Sequence, residues 1–228
     1  MSGNIFRRVE KKYLLTKEEK DNLFNLIWPY IEEDKYFKSI ISNIYFDTVD
    51  NDLIINSIDK PIFKEKLRLR SYTVPVDMDS EVFLEIKRKF KGVVGKRRVS
   101  LKLKNFYDFY DNRDYEKSQI FEEIRYAFDY YGLVPKIFVG YDRVSYKGKD
   151  DEGLRITFDS NLRSRFDNLR LEYEDTGDNY IDCDMYIMEI KTLGAMPFWL
   201  VDSLSKLKIY PTSFSKVGRI YSSLKEME

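Results

Sequence analysis

Four cations stand at every second position of one short segment, Lys64, Lys66, Arg68 and Arg70 in KEKLRLRSY. In an extended strand, residues two apart point to the same side. The segment therefore predicts a strand with a cationic row on one face and Leu67 and Leu69 on the other. The same period recurs along the chain. It groups Arg8, Glu10 and Lys12. It sets Glu81, Glu85, Lys87 and Lys89 opposite Val82, Leu84, Ile86 and Phe90, and it pairs Lys96 with Arg98. Further on it aligns Tyr141, Arg143 and Ser145, then Arg155, Thr157 and Asp159 opposite Leu154, Ile156 and Phe158, then Glu189 and Lys191. Such strands can fold only as sheets with one apolar and one charged face.

Turn and helix signals fill the gaps. A strand over residues 4–15 runs into Thr16 and Glu19, a capping-box pair opening a helix with Leu23, Phe24, Ile27 and Trp28 on its apolar side. A strand over 39–48 precedes a short helix or turn that ends before Pro61. Strands 80–90 and 93–103 flank Gly92 as a hairpin. Ile120, Ile124, Ala127, Phe128 and Tyr131 keep helical spacing up to Gly132, a suitable C-terminal stop. Strands follow over 135–148, 153–162, more weakly 169–174, and 185–191; the chain ends with helical segments near 196–207 and 213–224. With about eight strands and no long linker or repeat, the expectation is one α+β domain over 1–228. Its sheet should be mostly antiparallel, and closing it would remove the edges and create an interior.

Composition narrows the chemistry. Lys and Arg total 39, as do Asp and Glu, so whole-chain charge gives no general attraction to nucleic acid. Histidine is absent, which excludes His-based nucleophilic triads and His-ligated zinc. The one cysteine, Cys183, has no internal disulfide partner and is expected to be structural in a reducing compartment. No apolar run is long enough to span a membrane, and MSGNIFRRVEKKY lacks the apolar stretch of a signal peptide, so a soluble cytoplasmic protein is expected.

The charged faces are consistently basic with few carboxylates, although acids equal bases overall. Charged faces normally meet water. The alternative is a closed sheet with helices packed outside and the cations lining a channel among Glu10, Glu85, Asp159 and Glu189. Desolvation there costs several kcal/mol per unpaired ion. Such a lining must stay wet or hold a polyanion. A phosphate chain with a divalent metal fits, because Arg and Lys take phosphate oxygens and carboxylates take the metal.

The ordered set VEKKYL, IYFDT, KLRLRSY, FLEIKRKFKGVVGKRR, YDRVSY, LRITFD, IMEIK and SFSKVG resembles the VTC-type polyphosphate polymerase domain, of the CYTH-like triphosphate tunnel enzymes. The resemblance covers nearly the whole chain. It implies an antiparallel eight-stranded closed tunnel whose basic wall binds triphosphate or polyphosphate. By that pattern Arg68, Arg70, Lys87, Arg143 and Lys216 would be catalytic, with Lys12, Lys96, Tyr141 and Ser215 on phosphate. Glu10, Lys66, Arg98, Arg155 and Lys191 are likewise expected to bind phosphate, and Glu189 would hold Mn²⁺ or Mg²⁺. The placement of Ser215 and Lys216 also follows from a loop entering a helix N-terminus, where backbone N–H groups favour anions. The implied substrates are ATP and inorganic polyphosphate. A monomer is expected, with room for a membrane-protein partner.

The wider superfamily opens with Glu-x-Glu-x-Lys, whereas Arg8 stands at the first of these positions here. That weakens a metal-dependent hydrolase reading, yet hydrolysis of tripolyphosphate or a nucleoside triphosphate, and noncatalytic polyanion binding, stay open. Two other stretches carry less. GVVGKRR lacks the spacing of a nucleotide phosphate loop and reads as a hairpin bend. EDTGDNYIDCD lacks the spacing of a calcium loop and reads as a surface turn.

Overall fold

The computed structural model describes residues 8–59, 61–91, 93–180 and 184–225. Residues 4–7 of the expected first strand, the bend at Gly92 and the role of Cys183 lie outside them. Nine strands, β1 (Arg8–Thr16), β2 (Ile31–Asp47), β3 (Phe63–Ser71), β4 (Glu81–Phe90), β5 (Val93–Lys102), β6 (Val134–Gly148), β7 (Arg155–Arg165), β8 (Asp178–Asn179) and β9 (Met185–Leu193), form one sheet. Its hydrogen-bonded order is β1-β9-β7-β6-β2-β3-β4-β5, with β8 beside β7. The helices are α1 (Lys17–Ile27), α2 (Asp52–Ile58), α3 (Leu103–Asn112), α4 (Gln119–Tyr131), α5 (Phe198–Lys206) and α6 (Lys216–Lys225). This is an α+β fold on an antiparallel sheet. Among the described residues no helix is long and apolar enough to cross a membrane.

The closed eight-stranded tunnel expected from the sequence is not what the strand pairing shows. Among the described residues the order ends at β1 and β5. Most positions of β5 are exposed, and Lys96, Arg97, Arg98 and Lys102 give it the charged character that discourages a further strand.

The chain forms two compact units. The first comprises residues 1–39, 141–162 and 181–215. Thr16 caps α1 reciprocally with Glu19: the Glu19 N–H donates to Thr16 Oγ1 at 3.1 Å, and the Thr16 N–H donates to Glu19 Oε2 at 2.8 Å. That start fixes the turn of α1 which buries Leu23 and Ile27. Together with Leu200 and Leu204 of α5, they cover the apolar faces of β1, β7 and β9 at Leu15, Ile156, Phe158, Met188 and Ile190.

The second unit comprises residues 40–140, 163–180 and 216–228. Leu67 and Leu69 of β3 and Val82, Leu84 and Ile86 of β4 lie under Phe106 and Phe109 of α3 and Ile124, Ala127 and Phe128 of α4. Ser118 caps the start of α4, and Gly132 ends it at φ 61°, a conformation that favours glycine. In both units helices take the apolar strand faces and leave the charged faces to the other side.

Three local expectations change. Residues 103–112 form α3, although only Leu103 had been placed, at the end of a strand. Residues 169–174 are not a strand. Glu172 accepts from the Tyr107 hydroxyl at 2.7 Å and from Arg170 Nε at 2.5 Å, while Leu171 is buried in the second core. These side-chain bonds hold a turn instead of a ladder. Finally, β2 begins at Ile31, well before the expected Ser39, with an opening half that is mostly exposed.

Leu84 is fully buried in the second core. Leu84→Ala is expected to destabilise the protein by about 2–5 kcal/mol, seen as a lower urea midpoint. An unchanged midpoint would exclude a packed core at this position.

Candidate functional site

In the second unit the strand register builds a cationic surface. Lys64 lies opposite Lys89, and Lys66 opposite Lys87. Lys87 in turn lies opposite Lys96. Like charges directly across a ladder destabilise it. Lys66, Lys87 and Lys96 thus form one rung of three lysines. On the next rung Glu85 stands between Arg68 and Arg98. Arg68 donates from Nε to Glu85 Oε2 at 2.7 Å, and Lys96 Nζ reaches Glu85 Oε1 at 2.5 Å. Burial disfavours the Glu85 charge, but Arg68, Arg70 and Lys96 outweigh it and draw its carboxyl down to about 2. Arg98 rests over the Phe83 ring at 4.6 Å.

Arg70, although buried, keeps polar partners. Its Nε donates to Asn43 Oδ1 at 2.8 Å and its Nη1 to the Tyr72 hydroxyl at 3.2 Å. Asn43 is itself fixed by donating Nδ2 to the Val139 carbonyl at 2.8 Å. Arg68 donates from Nη1 to the Tyr45 hydroxyl at 2.9 Å. Burial raises the Tyr45 pKa, yet Arg68 and Arg70, with Lys66 behind them, bring the phenol down from 10.0 to about 7. Asn43, Tyr45 and Tyr72 were missed in the sequence. The signal was present, because Asn43 and Tyr45 are two apart on β2 and lie opposite Arg70 and Arg68. Being uncharged, they gave no electrostatic cue.

The first unit gathers both signs. Arg143 grips Asp159 with two bonds, Nε to Oδ1 at 2.6 Å and Nη2 to Oδ2 at 2.7 Å. It also lies 3.9 Å from Glu189 Oε2, which Lys191 approaches at 3.3 Å. Lys12 is opposite Glu189 and Glu10 opposite Lys191; Lys12 Nζ is 3.6 Å from Glu10 Oε1. Burial opposes a charge on Glu189, but the cations Lys191, Lys12 and Arg143 hold it well below the usual carboxylate range. Arg143 sits 5.3 Å from the Tyr141 ring. Arg155 is opposite Lys191 but turns to Asp34, 2.9 Å away.

Lys12 also donates to the Phe214 carbonyl at 3.3 Å, and the Thr212 N–H donates to the Lys12 carbonyl at 2.7 Å. These bonds bring the segment ending at Ser215 against β1. Lys216 belongs to the second unit and opens α6 as the sequence predicts.

A metal at Glu189 finds oxygen donors only. Glu10 stands two residues from Lys12, which is opposite Glu189, and Thr157 lies directly across the ladder from Glu189. Thr157 Oγ1 and Ser145 Oγ are buried with no hydrogen-bond partner among the described residues. Hard oxygen ligands suit Mg²⁺ or Mn²⁺, and Mg²⁺ commonly takes one or two carboxylates with phosphates completing its shell. Among the described residues no three metal-ligating side chains converge. The group therefore fits Mg²⁺ or Mn²⁺ only as a partial shell completed by ligand oxygens.

A model of the VTC domain matches residues 7–225. The chain belongs to the VTC domain family. Solved structures agree in fold. A protein from Vibrio parahaemolyticus described as a candidate adenylate cyclase is 13% identical, with 94% of this chain and 97% of that one covered at a TM-score of 0.51. One of the same description from Bacillus halodurans is 13% identical over 91% and 93%, at 0.53. No curated protein matches the sequence. At this identity the likeness concerns the fold. The cationic rung of this VTC domain is a feature of its own residues.

The Tyr45 pKa lies below its ordinary value, so its charge stabilises the folded state fully above pH 10 and loses that effect as pH falls through about 7. Near-ultraviolet titration of the folded protein should show one phenolate forming around pH 7, absent in Tyr45→Phe. Identical titrations would show that Tyr45 is not held as described.

Proposed function

We propose that this VTC domain transfers the γ-phosphoryl of ATP to a growing inorganic polyphosphate chain and releases ADP. One observation carries the reading: the lysine rung Lys66, Lys87 and Lys96, with Arg68 and Arg98 flanking Glu85 on the next rung and Arg70 beyond it. A face that opposes like charges across consecutive strands is unfavourable alone and favourable against a polyanion. The polymer-specific part of the proposal rests on the family resemblance. Membership by itself fixes neither substrate nor reaction.

Phosphoryl transfer asks mainly for positioning and charge stabilisation. Arg68 and Arg70 offer planar donor forks, and bonds from Arg68 to Glu85 and from Arg70 to Asn43 preset their directions. In the proposed reaction they and Lys87 take the equatorial oxygens of the transferring group. Lys216 at the start of α6 spreads the remaining charge in the same unit, and the resemblance assigns phosphate contacts in the first unit to Arg143, braced by Asp159. Lys12, Lys96, Tyr141 and Ser215 hold flanking phosphates, with Glu10, Lys66, Arg98, Arg155 and Lys191 shaping the wall. A terminal polyphosphate oxygen is already anionic at neutral pH, so attack needs no histidine base. A Mn²⁺ or Mg²⁺ ion held by Glu189 would act as a Lewis acid on phosphate oxygens. A hollow of about 250 Å³ in the second unit is lined by Tyr45 and Lys66, by the charged groups Asp47, Glu65 and Lys136, and by apolar groups such as Phe46, Phe166 and Leu169.

Purified protein incubated with ATP and Mn²⁺ or Mg²⁺ should release ADP while the polyphosphate chain lengthens. Consumption of tripolyphosphate without chain growth would instead assign a hydrolase. Binding without turnover would assign a noncatalytic module. Arg70→Ala and Lys216→Ala should each lower turnover by about a hundredfold or more, with the fold retained by circular dichroism. Arg68→Lys should also fall well below wild type, because lysine keeps the charge but loses the fork. Wild-type ADP release in any of the three would remove that residue from the site.

A further inference from the structure

Every charged residue from Ile86 to Ser100 is lysine or arginine, in a chain whose acids equal its bases. The phosphate wall accounts for Lys87, Lys96 and Arg98, but not for the end of the β4–β5 hairpin. There Phe90 pairs with Val93 and Phe63 pairs with Phe90, while the Lys91 N–H donates to the Ile62 carbonyl at 3.0 Å. The ladder thus sets Phe63, Phe90 and Val93 on one rung at one end of three strands, beside Ile62, with Val94 on the next rung and the opposite face alongside Lys64 and Lys89. All five apolar residues are exposed, Val93 to 74% and Ile62 to 67%. Lys89 and Lys91 are exposed beside them, the Lys91 ammonium 5.4 Å from the Phe90 ring.

Clustered apolar side chains in water mark a contact surface. The surrounding charge selects the kind. The buried centres of protein interfaces are depleted in lysine. Membrane-surface binders combine apolar groups at headgroup depth with Lys and Arg facing anionic lipid. We propose that the end of the β4–β5 hairpin docks on an anionic lipid surface. Phe90 and Val93 enter the headgroup boundary, and Lys89 and Lys91 meet the lipid phosphates and carboxylates. This does not depend on the activity proposed above.

Flotation of the full chain with phosphatidylcholine vesicles, with and without phosphatidylserine, tests it. Binding is expected only when phosphatidylserine is present. The double variant Phe90→Ser with Val93→Ser should reduce partitioning about tenfold or more. Lys89→Gln with Lys91→Gln should reduce it about 25-fold, roughly fivefold for each lost charge. Val93→Trp gives a readout independent of folding in the serine variant, with emission shifting to the blue only on anionic vesicles. Absence of vesicle binding, equal binding to phosphatidylcholine alone, or no Val93→Trp shift would overturn the proposal. So would undiminished binding by the serine variant, or its displacement by polyphosphate as readily as wild type, since either outcome describes plain charge adsorption.

Discussion

The helices' claim on the apolar strand faces is the constraint on which this molecule depends. Leu67, Leu69, Leu84 and Ile86 are buried because α3 and α4 lie over them, and Leu15, Ile156 and Ile190 because α1 and α5 do the same in the first unit. A strand has only two sides. Once the apolar side is occupied, Arg68, Arg70, Glu85 and Lys96 are committed to the other, where their charges have to be balanced locally.

The two units solve that problem differently. In the first, carboxylates are interleaved with cations: Asp159 takes Arg143 through two bonds, and Glu189 lies between Lys191 and Arg143. In the second, Glu85 serves Arg68 and Lys96 together, and an amide and a phenol do the remaining work. Asn43 orients Arg70, and Tyr45 meets Arg68 with a phenol acidified by its neighbours. A carboxylate at either place would cancel the positive potential. The Asn43 amide directs Arg70 without adding charge, whereas the Tyr45 phenol, brought down to about 7, places a partial negative charge beside Arg68.

Legibility followed the size of the local signal. The Thr16–Glu19 box, the Gly132 stop and the period of β3 and β4 each involve a few residues close in sequence, and each is found in the structure. The α3 helix lacks a side-chain cap at Lys102, so its aromatic run LKNFYDFYDN offered no starting signal and became a helix through packing of Leu103, Phe106 and Phe109. Tyr45 does not stand out in the expected strand over 39–48, because its importance lies in a partner 23 residues away in the chain.

The sequence by itself determined which residues share a strand face and that the charged faces would be rich in cations, since a two-residue period is a property of the extended backbone. Tertiary structure alone decided which rungs stand side by side. The Lys66–Lys87–Lys96 rung, the Arg68–Glu85–Lys96 cluster and the ending of the strand order at β1 and β5 all depend on register between distant segments. Register is set by how side chains pack across the whole sheet, and no single segment contains it.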